Sequence, residues 1–407
     1  MQLQKPELAF KSLILWTVVC HGSSLVHYAS PGDGPTAFCD CIKALTHPGA
    51  ECRLRTGRYE VGAERCDVTG LHGTRDQPIV ISSAGDGPVV VDGTLPIDGP
   101  WSSSGGFFTA PIGDHKFTQL FIDGHMQVLA RFPNALWSDK SVFFAVANWL
   151  RSEEPGIHNL SSGVGLLRDQ GPCQPGDVPG TCNTHGLATS GINATGALGV
   201  LNLYSCDTGV QSITRHDAAT PGVLHYNATW HGLCDTYRGG FGRYFLQGKS
   251  AGFLDHQEEW VLDLEQQLIK RTAPPPPGAE VRGRVSDFAL AVNGASWLAI
   301  SNLSFHATTL SVTGNVSNVS LSSLVFNYSA VSRRSLGEDT PPIGLTVWRQ
   351  EQEDEQEEEE DARKHRQTAA DILIDDVVVR YSDGPALMLS GGRYVRTLRI
   401  WEITVLP

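Results

Sequence analysis

The chain has 407 residues, 41% hydrophobic and 18% charged, with 43 Gly, 23 Pro and a formal net charge of -13. That balance suits a globular protein rich in strands and turns and excludes a disordered one. Residues 351–361, EQEDEQEEEED, hold nine acidic groups, and without them the charge is -4. A nearly balanced body with no basic face argues against nucleic acid as a partner.

At the N-terminus, Lys5 and Lys11 precede the apolar run SLILWTVVC (residues 12–20) and the small residues of HGSS. This pattern predicts a secretory signal over residues 1–22, since the run is too short to span a bilayer. No later run is long enough for a transmembrane segment, so the expected location is secreted or extracellular. Two further features agree. Removal of Cys20 leaves eight of the nine cysteines, in local sets: Cys39, Cys41, Cys52 and Cys66; Cys173 with Cys182; Cys206 with Cys234. None has the paired knuckles of a zinc site, so disulfides are expected, with three connectivities open for the first four. Seven Asn-x-Ser/Thr sequons occur, at Asn159, Asn193, Asn227, Asn302, Asn315, Asn318 and Asn327, and glycans there would require surface positions.

TAFCDCIKALTHPG (36–49) sets Phe38, Cys41, Ile42 and Leu45 at helical spacing and ends at Pro-Gly. A short helix here is expected to cap an open sheet edge. PIVISSAGDGPVVVDGT then alternates Ile79 with Ile81 and Val89 with Val91 around a Gly-rich turn. From about residue 131 to 290 the alternation fades into Gly/Pro-rich stretches, expected to be an insertion pinned by two disulfides.

An eight-residue pattern follows, at LAISNLSF (298–305), VSLSSLVF (319–326), ILIDDVVV (372–379) and LRIWEITV (398–405). The first, third, sixth and eighth places are apolar in every copy. The fourth and fifth are polar in three, with Trp401-Glu402 the exception. The starts lie 21, 53 and 26 residues apart, and the long gap contains the acidic tract, expected as a mobile loop over 350–367. Two short strands per copy cannot bury their apolar side alone, whereas stacking equivalent strands turn upon turn does. TLSV (309–312) and ALML (386–389) supply a third strand per turn. Leucine-rich repeats share the period but need an L-x-x-L-x-L pattern, absent here, and a sandwich of ordinary strands would not repeat one pattern four times. The expected fold is all-β: a right-handed parallel β-helix with an N-terminal cap and first coils (31–130), an insertion (131–290) and later coils (291–407).

Several stretches resemble the secreted carbohydrate-active proteins of the pectin-lyase-like superfamily, both glycoside hydrolases and polysaccharide lyases. They are GAECRLRTGRYEV with PIVISSAGDGPVVVDG, FIDGHMQVLARFPNALW (121–137), YFLQGKSAGFLDHQEEWVLD (244–263) and YSDGPALMLSGGRYVRTLRI (381–400). The third is similar to the family's L-D-x-P-G-E-W-Y-x-D block, with His256-Gln257-Glu258 standing in place of the usual Pro-Gly before Glu-Trp. The resemblance implies a polysaccharide partner, with a non-catalytic glycan binder or structural solenoid as the alternative. Related proteins carry more coils, so the chain is expected to be truncated, or its last coil covered by another chain.

The resemblance also implies chemistry: lyases of this fold use a basic residue, often beside calcium, and hydrolases use paired carboxylates. No cofactor is required by the sequence, and calcium is the one the acidic groups would suit. The outward second and seventh places carry one charge, Arg399. The candidates therefore sit at bends of the last coils: Asp375, Asp376, Arg380, Asp383 and Glu402. For Asp375-Asp376 and for Asp383-Gly384 the simpler expectation is that Asp favours the bend, as Ser does in sister copies. Asp255, Glu258, Glu259 and Asp263 form the densest acidic cluster outside the tract, but Trp260, Val261 and Leu262 between them read as a structural strand.

Overall fold

The computed structural model of the chain describes residues 25–62, 65–143, 148–153, 157–176, 184, 186–203, 208–229, 242–249, 252–333, 336, 338, 344–349, 372–383, 386–390 and 400–401. The protein is all-β, built around a 12-stranded sheet whose pairings are all parallel. Three smaller sheets, mostly antiparallel, hold the chain between its early and late strands.

The eight-residue pattern sets the register of the large sheet. Leu298 lies opposite Val319 and Ile79, and Val319 opposite Ile372. Ile81, Ile300, Leu321 and Ile374 form a second column, and Phe305 and Phe326 stack 4.8 Å apart between Val91 and Val379. All of these side chains are buried, whereas Ala299, Ser320 and Leu373, one place along, face outward. Period-2 alternation explains both sets, because a strand presents successive side chains to opposite faces. The expected third strand is also present: Thr309–Asn327 pairs through Val312 with Val292 and Val347, and Val347 pairs with Leu389.

The bends stack as the strands do. Asn302, Ser323 and Asp376, the fifth places of three copies, all adopt a left-handed backbone, with φ of 56°, 50° and 53°. Asn and Asp tolerate that conformation because their short polar side chains hydrogen-bond locally, and here the Ser323 hydroxyl donates to Asp376 Oδ2 at 3.0 Å. At Gly314, with φ of 79°, a Cβ would meet Asn293 Oδ1 at 2.3 Å, so glycine is required there. The fourth copy behaves differently. Ile400 lies opposite Val377, where equal spacing places it opposite Ile374, and Leu398 and Glu402 fall outside the described residues. Trp401-Glu402 lacks the polar pair that fixes the bend elsewhere, so the pattern does not pin this register.

The helix expected from the cysteine-rich stretch spans Ala37–Lys43 and buries Phe38, Cys41 and Ile42 against the first strands. Disulfides Cys39–Cys66 and Cys41–Cys52 decide among the three connectivities and tie both cysteines of the helix to neighbouring strands. Cys173 is also disulfide-bonded, while Cys182, Cys206 and Cys234 lie outside the described residues, as does the 350–367 tract.

The chain leaves the large sheet after Asp92 and rejoins it at Phe288, so residue 131, the expected start of the insertion, falls inside a longer excursion. Departure and return lie side by side: Gly93 N donates to His306 O, and Gly93 O accepts from Val285 N and Ser286 N. Buried arginines fasten the junction. Arg282 Nη2 reaches Glu60 at 2.6 Å, and its Nε donates to Thr94 Oγ1 at 2.6 Å. Fully buried Arg284 donates to the carbonyls of Tyr328, Ser329 and Ser286 and to Gln119 Oε1. Burial pushes its guanidinium down to about 10, so it remains charged at neutral pH. Gly283 lies between the two arginines, with Phe117 so close that a Cβ would sit 2.2 Å from the ring.

The column arrangement has a direct test. Leu321→Ala, at the centre of an inner column, should lower unfolding free energy by about 3 kcal/mol, and outward Ser320→Ala by no more than about 0.5 kcal/mol. Denaturant melts of both variants check this, and equal costs would contradict the register.

Candidate functional site

Where the excursion docks on the late strands, the two leave an open cleft of about 140 Å³. Pairing of Val128–Leu129 with Glu259–Asp263 sets Leu129 opposite Trp260, and pairing of Arg131–Phe132 with Gly242–Gln247 sets Arg131 opposite Gln247. These segments supply one wall, with Trp137, Phe245 and Trp260 as its aromatic surface and Gln119, Gln127 and Gln247 as its amides. Ser332 and Asp383, just beyond the strands that end at Asn327 and Arg380, supply the other, and Asp383 Oδ2 accepts a hydrogen bond from Ser332 N at 3.0 Å.

The charges around this wall are held by backbone groups. The Arg131 guanidinium lies 3.8 Å above the Phe245 ring, while its Nε and Nη2 donate to the carbonyls of Pro133 and Asn148. Behind it, Glu259 is fully buried and accepts from the backbone N–H groups of Arg131, Asp255 and His256. Burial outweighs those three donors and pushes its carboxyl up to about 8. Glu258 Oε2 accepts from Trp137 N at 3.0 Å and Ser138 N at 3.2 Å, fixing the loop that presents Trp137. Asp255 accepts from Asn134, and Asp263 pairs with Lys270 at 2.6 Å. In the acidic cluster read as structural in the sequence, Glu258 and Glu259 thus hold backbone N–H groups, while Asp255 and Asp263 bond to side chains. Trp137 meets Tyr381 edge-on at 6.1 Å, and Tyr381 stacks on Tyr328 at 4.9 Å.

Of the five candidate residues, Asp383 lines the cleft. Asp375 and Asp376 occupy the bend within the strand Ile372–Arg380, roughly 17 Å and 13 Å from Arg380 at about 3.3 Å per residue. Arg380 lies opposite Asn327 in the ladder, and Glu402 lies outside the described residues. The bend that carries Asp375 and Asp376 therefore lies away from the cleft that Asp383 lines. The seven sequon asparagines are all exposed or half-exposed. Among the described residues no group of three or more His, Cys, Asp or Glu could hold a metal ion, and no helix is long and apolar enough to cross a membrane.

The sequence reading passed over Arg131, Trp137, Phe245 and the three glutamines. Its available signal was the pair of stretches 121–137 and 244–263, which supply most of the cleft wall. It singled out Arg380 but passed over the row to which Arg380 belongs, the ninth place of each repeat. Glu60, Asp92, His306, Asn327 and Arg380 form one outward row across the sheet. Its middle is covered by the excursion, with the Phe121 ring 4.9 Å from His306, and burial lowers the His306 imidazole from its ordinary range.

No family model and no characterised protein sequence matches the chain. A solved structure described as a glycoside hydrolase matches it with a TM-score of 0.54 at 12% identity, over 91% of this chain and 80% of that one. A second, described as a complex of XylC with xylose, aligns with a TM-score of 0.32 at 9% identity, over 90% and 52% of the two chains. The first shows a shared fold; at this identity it shows nothing further.

Glu259 predicts a pH signature. Its carboxyl titrates near 4.5 when solvated and near 8 in the fold, so the folded state holds an extra proton between those values. Stability should fall as pH rises through that window. Glu259→Gln removes the term, so its melting temperature should decline less than that of the wild type between pH 5 and about 8. Parallel profiles would refute a buried neutral carboxyl.

Proposed function

We propose that the chain is a secreted, carbohydrate-active protein whose three parallel ladders form the faces of a right-handed parallel β-helix, with the cleft at Asp383 receiving a sugar of an extracellular polysaccharide. The observation that carries this reading is the composition of the cleft: aromatic surface on one wall, and amides with one carboxylate around it, the mixture that packs a sugar ring's C–H face and satisfies its hydroxyls. The shared fold with a structure described as a glycoside hydrolase supports it, as do the disulfides and sequons. In a hydrolase, Asp383 would supply one carboxyl group. A partner at the separation glycoside hydrolysis requires is not among the described cleft residues. The sequons Asn302, Asn315, Asn318 and Asn327, which would crowd glycans on the ladders, favour a second reading, in which the cleft binds glycan without cleaving it.

Incubation with neutral and acidic polysaccharides separates the readings. New reducing ends mean hydrolysis, new ultraviolet absorbance means elimination, and binding without product means a lectin-like role. In each case Trp137→Ala should weaken binding about tenfold, the equivalent of about 1.4 kcal/mol. Asp383→Asn should abolish any turnover with binding retained. Absence of binding to every polymer refutes the proposal.

A further inference from the structure

The excursion carries an outer antiparallel sheet, formed by Ile157–Asn159, Val164–Arg168, Gly209–His216 and Val223–Asn227, with one face inside and one open. Leu167, Leu224, Tyr226 and Ile213 are buried on the inner face. On the open face Asn159, Val164 and Asn227 share one register row, and Ile157, Leu166 and His225 the next. Ile157 is 54% exposed, Val164 48% and Leu160, in the adjoining turn, 38%. Three of the seven large apolar side chains most open to solvent among the described residues thus lie in one hairpin, and together they leave an apolar patch without protein cover.

Asn159 begins Asn-Leu-Ser and Asn227 begins Asn-Ala-Thr, and both side chains are exposed. Asn159 Oδ1 accepts from Ser162 N at 3.0 Å, and its amide nitrogen donates no hydrogen bond among the described residues. The Asn227 side chain makes no hydrogen bond among the described residues. Directly opposed residues of an antiparallel pair stand about 5 Å apart, so the two asparagines flank Val164 on both sides.

We infer that Asn159 and Asn227 are a paired N-glycosylation site whose first sugars lie across Ile157, Leu160 and Val164 and act as the cover this sheet face lacks. The inference rests on the extracellular reading. In the modification each Asn amide nitrogen bonds to the anomeric carbon of an oligosaccharide carried on a lipid diphosphate. The lipid diphosphate leaves with the electron pair of the broken C–O bond, and the amide loses one proton. The C–H face of each attached ring packs on the aliphatic side chains, and its hydroxyls face water.

The test uses the full chain secreted from a eukaryotic host. Peptide mass spectrometry should find both asparagines occupied. Enzymatic deglycosylation of the folded protein, and the Asn159→Gln/Asn227→Gln variant, should raise ANS fluorescence and shift the protein from monomer to larger species with the melting temperature nearly unchanged. Val164→Thr in that variant should reverse the shift, and Asn193→Gln should produce none. Occupancy elsewhere with Asn159 or Asn227 unmodified overturns the inference alone, whereas no occupancy at any sequon overturns the extracellular reading with it. A deglycosylated protein that stays monomeric without added ANS signal, or a glycosylated one that dimerises through Val164, also overturns it.

Discussion

Parallel stacking in fixed register is the constraint on which the rest of the molecule depends. A slip of one residue between Leu298 and Val319 would turn Leu298, Ile300, Leu303 and Phe305 outward and bring Ala299 and Ser304 inside. Two things prevent it. The inner columns are apolar at every level, and the left-handed bends at Asn302, Ser323 and Asp376 coincide turn after turn. Polar residues at the fourth and fifth places are thus a structural requirement of the bend. This explains why Asp375 and Asp376, a tempting carboxylate pair in sequence, behave like the Ser-Ser and Ser-Asn of their neighbours.

The second level of organisation is the junction of the excursion with the ladders. Asp92 is buried, accepts from both Thr94 N and Oγ1, and lies 3.3 Å from Arg58 and 3.8 Å from Arg282. Glu60 and Glu280 complete a network in which two guanidinium groups serve three carboxylates. Arg284 acts differently, reaching the backbone carbonyls of Ser286, Tyr328 and Ser329. A planar fork with several donors suits both tasks, where a lysine could satisfy only one partner well. Because these residues fix the excursion against Tyr328 and Ser329, they also set how far the Trp137 wall stands from Asp383, and hence the width of the cleft.

The fold was legible in the sequence where a periodic demand was written into adjacent residues. The first three copies of the apolar pattern, the helix Ala37–Lys43 and the strands around Ile79 and Val89 fall where alternation and turn chemistry place them, whereas the fourth copy pairs out of that register at Ile400. The site was legible only in part. Stretches 121–137 and 244–263 drew attention as blocks, yet nothing local distinguishes Trp137, half-exposed at the cleft, from Trp260, which also lines it but is almost wholly buried in the wall. The ninth-place row was missed because polarity after a strand ordinarily means a turn, and its partners Arg58 and Arg282 lie far away along the chain.

By itself the sequence determined the secondary structure of the ladders, the period of stacking and the presence of disulfide-forming cysteines near the start, because each is fixed by side chains within one or two turns of chain. Tertiary structure decided the Cys39–Cys66 and Cys41–Cys52 pairing, the departure of the excursion at Gly93 and the placing of Asp383 across one cleft from Trp137 and Arg131. Those arrangements bring together residues as much as about 250 positions apart, and no local propensity specifies which distant partner satisfies a buried charge or covers an apolar wall.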